Sequence, residues 1–232
     1  VAMASGVTFR ALRPTDLVAL EELHKECFPV RYEASFYNDS VCGKNWNVAA
    51  VTKPSPESPD SDEQLVGVIV SQFVNHDDVE EKMLSWTLTS ARTSYICTLG
   101  VTEAFRGRGL ATELLHRLLE HTRGQSTCKA VYLHVLDTND IAIRFYEKHD
   151  FQRLKFLPDF YVIHGERRHA FLYVHYQNGG RPPWTWRSQP CCTESDTGQW
   201  SGNVGHRAAE SCNVLDTVLA GCTPEVDRQR RP

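Results

Sequence analysis

Residues 95–119 read YICTLGVTEAFRGRGLATELLHRLL, and this stretch decides how the chain folds. The apolar run from Tyr95 to Val101 is typical of a buried strand, because its β-branched and aromatic side chains suit a covered, pleated surface. From Leu110 onward, leucines recur at helical spacing in one apolar stripe, which predicts an amphipathic helix. Residues 106–111 join these two elements through a glycine-rich turn. The order strand, turn, helix predicts an α/β unit within the fold.

The glycine-rich turn suits a ligand that carries phosphate groups. Gly107 and Gly109 allow the backbone to curl tightly, so that several N–H groups point into one space. The following helix adds the positive end of its dipole, and Arg106 and Arg108 add full charges. The turn lacks the Gly-Lys-Ser/Thr of a P-loop and the spacing of a Rossmann motif. A helix start with exposed arginines would show the same residues, so spacing alone leaves both interpretations open.

Strands and helices alternate along the rest of the chain as well. Further strands are predicted at 7–13, 47–51, 65–74, 130–136, 151–156 and 171–176. Further helices are predicted at 14–27, at 33–38 and from Asn139 or Asp140, the last with Ile141, Ala142, Phe145 and Tyr146 facing inward. The pattern predicts one domain at 7–186 with a partly parallel, mixed sheet. Composition predicts a flexible N-terminus at 1–6, an exposed loop at 53–62, a hairpin tip at 76–81 and a mostly disordered tail at 187–232.

Charge and composition argue against several classes of protein. The 232 residues carry a formal net charge of −4, which is not typical of a protein that coats nucleic acid. No apolar run reaches the roughly 18 residues that a membrane-spanning helix needs, and the first residues lack the blocks of a signal peptide. The eight cysteines form no Cys-x-x-Cys pair. We therefore expect reduced thiols in a cytosol-facing protein, and no metal site.

The form Arg/Gln-x-x-Gly-x-Gly/Ala, filled here by Arg106, Gly109 and Ala111, resembles the coenzyme A loop of the GCN5-related N-acetyltransferases. Other segments are similar to the N-terminal acetyltransferases of that family: 95–101, 132–135, Phe-Pro-Val-x-Tyr at 28–32, Asn-x-x-Ala-x-x-Phe-Tyr at 139–146 and Leu-Pro-x-x-Tyr at 157–161. The ending Asn-Gly-Gly-x-Pro-Pro-Trp-Thr at 178–185 favours the NatF type, with the NatE type next. The resemblance covers about residues 7–186.

This resemblance implies a single GNAT-type domain, with a mixed, mostly antiparallel sheet of about seven strands flanked by about four helices. It implies acetyl-CoA as co-substrate, no metal, and polypeptide N-termini as partners. The acetyl group would pass directly, in a ternary complex, to the N-terminal amine of mainly Met-starting polypeptides. The peptide would meet two aromatic walls around a narrow slot.

Tyr95 and His134 are the candidate catalytic residues, because the resemblance places them on adjacent strands beside the acetyl group. An imidazole titrates near neutral pH, which suits a general base. A lone His or Tyr on a strand usually serves packing, but two matches to one family favour the catalytic interpretation. Strand alternation predicts that Tyr95 shares one face of its strand with Cys97, Leu99 and Val101, and that His134 shares a face with Tyr132 and Leu136.

The resemblance also implies two sets of binding residues. The coenzyme A set is Leu99, Gly100, Val101, Arg106, Gly107, Arg108, Gly109, Leu110, Ala111, Thr112, Asn139 and Tyr146. The peptide set is Phe28, Pro29, Tyr32, Cys97 and Tyr161. Asn139 has the alternative role of a helix cap, and Phe28-Pro29 that of a helix end. Arg31 stands where NatF-type enzymes often carry an acidic residue, and its charge would disfavour basic second residues in the peptide.

Two other functions fit the same sequence. A lysine or small-amine acetyltransferase would share the fold, but the loop at 28–32 together with Tyr161 favours a peptide N-terminus. An acyl-CoA-binding module without turnover would need the turn at 106–111 but neither Tyr95 nor His134. The family further implies a monomer or weak homodimer in the cytoplasm, with peripheral contact at the cytosolic face of the Golgi or another organelle.

Overall fold

A computed structural model describes residues 6–30, 32–53, 63–75 and 92–182. Within these ranges the helices are α1 (Leu17–Cys27), α2 (Ala34–Val41), α3 (Leu110–Arg123) and α4 (Asp140–Lys148). The strands are β1 (Val7–Arg10), β2 (Trp46–Thr52), β3 (Gln64–Asn75), β4 (Arg92–Val101), β5 (Cys128–Leu136), β6 (Gln152–Ile163) and β7 (Glu166–Tyr176). Arg31, the predicted hairpin tip at 76–81, the tail at 187–232 and most of the loop at 53–62 lie outside the described residues.

The seven strands form one mixed sheet in the order β1-β2-β3-β4-β5-β7-β6. β4 and β5 pair in parallel, with α3 as their crossover, and every other neighbouring pair is antiparallel. This confirms the predicted single domain with a mixed, mostly antiparallel sheet and four helices. No helix among the described residues is both long and apolar enough to cross a membrane.

β4 and β5 run together only at their beginnings. Their pairing extends from Arg92 beside Cys128 to Tyr95 beside Tyr132 and then stops. β4 continues to Val101 along β3, and β5 continues to Leu136 along β7. Because each strand keeps its outer neighbour, the sheet stays continuous while a gap opens in its centre.

The amphipathic helices bury the stripes that their spacing predicts. On α3 the buried residues are Leu110, Leu114, Leu115, Leu118, Leu119 and Thr122. On α4, Ala142 and Tyr146 are buried and Phe145 packs partly against the core. The prediction that Ile141 faces inward is wrong, since its side chain is 41% exposed. Because Asn139 caps α4, Ile141 lies in the first turn of the helix. The buried stripe runs through Ala142 and Tyr146, and Ile141 is at the edge of that stripe.

The last two strands form a longer hairpin than the sequence predicts. β6 extends to Ile163 and β7 begins at Glu166, whereas the apolar pattern predicted only 151–156 and 171–176. The outer half was missed because its exposed residues include the charged run Glu166-Arg167-Arg168, which hides the strand periodicity. A register shift between Leu157 and Tyr161 interrupts the pairing, with Asp159 in the left-handed region at φ 53°.

The chain after β7 is fastened to the turn between α3 and β5. The Asn178 side chain donates to the carbonyl oxygens of Gln125 and Cys128, both at 2.9 Å, and Lys129 Nζ donates to the Asn178 carbonyl at 2.8 Å. Gly180 lies so close that a Cβ on it would be 2.1 Å from the Lys129 carbonyl oxygen. The Asn-Gly-Gly segment therefore has a structural role at the end of the domain opposite the gap.

Replacing Gly180 with alanine is expected to destabilise the fold by about 2–4 kcal/mol, because backbone atoms must move to admit the methyl group. Urea unfolding followed by circular dichroism measures the change. Gly124→Ala is the matched control: that residue has φ −65° and a nearest contact of 3.4 Å, so its effect is expected to stay within about 1 kcal/mol. Equal midpoints for the two variants would contradict the close packing at Gly180.

Candidate active site

The gap between β4 and β5 exposes one edge of the β4 backbone. From Ile96 to Val101, β4 pairs with β3 alone, so its other edge faces the opening. Backbone N–H and C=O groups on that edge have no strand neighbour and are available to an extended ligand. Leu99, Gly100 and Val101, predicted for the pantetheine arm, lie on this segment.

Tyr95 and His134 meet where the gap begins. The Tyr95 hydroxyl lies 3.2 Å from His134 Nδ1, and either atom can be the donor, depending on the histidine tautomer. The two residues are only 7% and 3% exposed. Tyr95 pairs with Tyr132, and His134 follows two residues later, so parallel pairing places all three on one face of the sheet. The structure thus brings together the two residues that the sequence singled out.

Phe160 covers the histidine of this pair and was missed by the sequence analysis. Its ring centroid lies 4.3 Å from that of His134, at an interplanar angle of 38°. Phe160 belongs to the irregular segment of β6 between Leu157 and Tyr161, where the pairing with β7 shifts. The Leu-Pro-x-x-Tyr segment was the available signal, but period-two alternation does not predict which way an irregular strand turns its side chains.

The prediction that Tyr95, Cys97, Leu99 and Val101 share one face is wrong, because β4 contains a bulge. Ser71 pairs with Ile96 and Val70 with Thr98, which leaves Cys97 as the extra residue. Past the bulge, Leu99 and Val101 share the other face with Ile96. Thr98 and Gly100 take the face of Tyr95.

The predicted phosphate turn has the backbone shape that its glycines allow. Gly107 and Gly109 have φ values of 71° and 81°, in the left-handed region that glycine adopts readily. Gly109 is the N-cap of α3, and the first amides of that helix have no acceptor within it. Leu110, Ala111 and Thr112 supply these amides beside the end of β4. This arrangement fits the pyrophosphate of coenzyme A.

The two arginines of the turn donate hydrogen bonds to nearby backbone carbonyls. Arg106 Nε donates to the Val101 carbonyl at 3.1 Å, which fixes the turn to the end of β4. Arg108 donates to the Ala104 carbonyl at 2.9 Å, and its guanidinium lies 4.9 Å from the centroid of the Phe105 ring. Both guanidinium groups belong to the turn that precedes the helix N-terminus, where positive charge favours a phosphate.

Asn139 and Tyr146 lie on α4 in different roles. The Asn139 side-chain oxygen accepts a hydrogen bond from the Ala142 amide at 3.1 Å, so its alternative role as a helix cap is observed. Tyr146 is fully buried, and its hydroxyl has no hydrogen-bond partner among the described residues. Burial, and then the neighbouring Tyr161, raises the pKa of Tyr146 well above its usual value. The buried phenol therefore remains a proton donor, which fits a thioester or pantetheine group.

The predicted peptide residues approach the gap from two sides. Phe28 ends α1, and its amide donates to the His24 carbonyl at 2.9 Å, while Pro29 and Val30 continue from it. Val30 packs against the small apolar cluster that contains Tyr161 and Phe160. Phe28 and Tyr32 contact each other edge to face, at 6.1 Å between ring centroids. Cys97 is fully buried at the β4 bulge. Aromatic rings thus stand on both sides of the opening.

Gly100 allows the end of α1 to approach β4. A Cβ on Gly100 would lie 3.1 Å from the Phe28 ring and 3.2 Å from Cys27 Cβ. Any larger residue at this position would push the end of α1 away from the strand.

Among the described residues, no group of three His, Cys, Asp or Glu side chains is placed to hold a metal ion.

Comparisons with known proteins agree with this geometry. Residues 17–151 match the Acetyltransferase (GNAT) family, and the chain belongs to that family. It is 37% identical over 187 residues to N-alpha-acetyltransferase 60 of Danio rerio, which covers 78% of this chain and 74% of that protein. It is 33% identical over 189 residues to the Arabidopsis thaliana protein named histone acetyltransferase MCC1, over 79% of this chain and 75% of that protein.

Solved structures give the same result. Arabidopsis thaliana NAA60 in complex with a bisubstrate analogue aligns with a TM-score of 0.69 and 34% identity, over 75% of this chain and 99% of that one. The structure of that protein with acetyl-CoA aligns equally well. The family membership predicted from the turn at 106–111 is confirmed.

Substituting Gly109 with alanine is expected to raise the KM for acetyl-CoA about tenfold, because a left-handed φ costs a non-glycine residue about 1–2 kcal/mol and the turn would relax. Gly43→Ala is the matched control, since Gly43 has φ 76° in the turn after α2. Steady-state kinetics with varied acetyl-CoA measures both variants. The same KM in the two would contradict a ligand-binding role for the turn.

The buried thiols are expected to resist alkylation while the chain is folded. Burial raises the pKa of Cys27 to about 11, so at pH 8 roughly one thiol in a thousand is ionised. Cys42 is exposed, and Cys97 and Cys128 are buried. Of the four cysteines among the described residues, iodoacetamide labelling with peptide mass mapping should modify Cys42 within minutes and Cys27, Cys97 and Cys128 only after unfolding. Labelling of Cys27 at the rate of Cys42 would show that the end of α1 opens readily.

Proposed function

We propose that this chain transfers the acetyl group of acetyl-CoA directly to the N-terminal amine of Met-starting polypeptides. The observation that carries the proposal is the contact between Tyr95 and His134 at the mouth of the β4–β5 gap. The glycine turn and the start of α3 lie at the end of the same strand, β4. The relatives and solved structures named above, N-alpha-acetyltransferase 60 and NAA60, support acetyl-CoA-dependent N-alpha-acetylation as the function.

The chemistry requires a neutral amine, because an ammonium group has no lone pair to attack a thioester. Tyr95 and His134 share a hydrogen bond and can pass a proton from one ring to the other. In the proposal His134 accepts the amine proton, directly or through a water, and Tyr95 orients its imidazole. The amine nitrogen bonds to the thioester carbon, the C–S bond then breaks, and coenzyme A leaves as its thiolate. The Phe160 ring against His134 keeps bulk water from the pair on that side.

The open edge of β4 orients the thioester. The backbone of Leu99, Gly100 and Val101 holds the pantetheine arm, and an N–H of this segment stabilises the negative charge that develops on the thioester carbonyl oxygen. Gly107 to Thr112 bind the pyrophosphate through their amides. Tyr146 donates its buried hydroxyl toward the coenzyme, while Asn139 holds the start of α4.

The aromatic residues on both sides of the gap favour a chain end as acceptor. Phe28 and Tyr32 approach from the loop after α1, and Tyr161 from the β6–β7 hairpin. A free N-terminus can enter a narrow slot end-on. An internal lysine is flanked by polypeptide on both sides, which a narrow slot would not admit. Arg31, which lies outside the described residues, adds a positive charge in this loop and would disfavour a basic second residue.

A second candidate function is lysine acetylation. One observation favours it: an Arabidopsis thaliana relative at 33% identity is named a histone acetyltransferase. The same proton-transfer pair would serve a lysine amine.

The cellular setting follows from the NatF-type resemblance at 178–185. The proposal places the enzyme in the cytoplasm as a monomer or weak homodimer. It places a peripheral contact at the cytosolic face of the Golgi or another organelle membrane.

The test follows coenzyme A release while the purified chain meets short peptides that start with Met-Leu, Met-Ile, Met-Lys, Met-Ala or Ser-Glu. Each peptide has an N-terminally blocked, lysine-containing control. We expect turnover on free Met-starting peptides, weakest for Met-Lys. The variant pair Tyr95→Phe and His134→Ala should each lower kcat by about 10²-fold or more, because each removes one partner of the proton-transfer pair.

Phe73→Leu, a change on β3 whose ring contacts His121 of α3 on the other face of the sheet from this pair, serves as the matched control and should retain kcat within about twofold. Turnover only on the blocked lysine peptides would replace the proposal with the second candidate. Coenzyme A binding without turnover on any peptide would contradict both acetyltransferase functions.

A further inference from the structure

His24 lies on α1 inside a cage of four aromatic rings. The rings belong to Phe28, Tyr32, Phe36 and Tyr37, with centroids 5.0, 5.2, 5.8 and 5.4 Å from that of His24. Its side chain is 1% exposed. These residues, called the aromatic cage below, join α1, the loop that follows it and the start of α2.

The imidazole at the centre of the cage lowers the stability of the fold, because its buried nitrogens are not hydrogen-bonded within the described residues. Neither ring nitrogen has a hydrogen-bond partner among the described residues. Burial lowers the pKa of His24 to about 3, so the ring stays neutral at cellular pH. A buried polar atom without a partner costs roughly 1–3 kcal/mol, which an apolar side chain of similar size would avoid. Within the described residues the ring therefore contributes its flat shape and its four aromatic contacts rather than a hydrogen bond.

Contacts lead from the cage to the reacting strand. Phe28 contacts the His24 ring edge to face, at an interplanar angle of 82°, and its amide donates to the His24 carbonyl. The Phe28 ring also lies against Gly100 of β4, where a Cβ would be 3.1 Å from the ring and would require it to shift. Tyr32 stacks on Phe36 at 4.7 Å, which ties the far end of the loop to α2. His24 touches both ends of the loop and sets their separation.

We propose that His24 is a positioning residue for the peptide substrate: it holds the rings of Phe28 and Tyr32 at the distance from β4 that admits a polypeptide N-terminus. This inference rests on the proposed N-terminal acetylation. The ring acts through its neighbours, not on the reacting atoms, so its effect falls on peptide binding. The phosphate turn at 106–111 follows the end of β4 and shares no residue with the cage, and the cage approaches the coenzyme A set at Gly100 through the Phe28 ring.

Steady-state kinetics of His24→Leu tests the inference. Leucine keeps an apolar volume in the cage but lacks a flat ring, so Phe28 and Tyr32 lose their common contact. We expect the KM for a Met-starting peptide to rise about five- to tenfold, with kcat and the KM for acetyl-CoA unchanged within about twofold. His24→Phe restores a flat ring and is expected to return the peptide KM to within about threefold of the wild type.

Leu118→Ala is the control for general loss of stability, because it opens a cavity under α3, which packs against the opposite face of the sheet from the cage. It should lower the melting temperature and leave the ratio of the two KM values unchanged. A His24→Leu enzyme that melts earlier but keeps the wild-type peptide KM would overturn the inference while leaving the proposed function intact. An equal rise in both KM values would also overturn it. A wild-type chain without turnover on any free N-terminus would overturn the proposed function and the inference together.

Discussion

The parting of β4 and β5 is the constraint on which the rest of the structure depends. Two parallel neighbours that separate after Tyr95 and Tyr132 leave half of each strand without a partner on one edge. Unpaired backbone groups inside a sheet are costly, so the gap exists only because β3 and β7 hold the strands from outside. The glycine turn, the contact between Tyr95 and His134, and the aromatic rings of Phe28 and Phe160 are all arranged around this opening. The site is thus an interruption in the β4–β5 pairing, and the pairing of these strands with β3 and β7 keeps the sheet together around it.

Local chemistry predicted much of this arrangement from the sequence. The leucine stripe of α3 and the apolar run of β4 predicted their elements, and the glycines predicted the turn between them. The pairing of Tyr95 with His134 required the family resemblance, because a strand residue alone does not specify its neighbour. The general position of these residues could therefore be read from the chain, and their contact distance could not.

The features that the sequence did not predict are irregularities in the strands. The bulge at Cys97 reverses which residues share a face, and a period-two pattern assumes that no residue is extra. The register shift between Leu157 and Tyr161 places Phe160 over His134. This shift depends on how β6 pairs with β7, so the sequence of β6 alone does not predict it. Likewise, the cage around His24 joins residues 24–37 through side-chain packing that has no simple period. Strand pairing and side-chain packing decide these details, and both depend on contacts that the local sequence pattern does not specify.

The irregular β6 strand has a consequence for how copies of this chain meet. β6 is the last strand of the sheet, and its outer edge would accept a strand from another molecule. Pro158 has no N–H to offer such a strand, the shift around it breaks the straight edge, and Arg153 and Lys155 are exposed nearby. At the opposite end of the sheet, β1 is only four residues long. The same departure from regularity that places Phe160 over His134 thus makes the outer edge of β6 a poor template for a strand from another molecule.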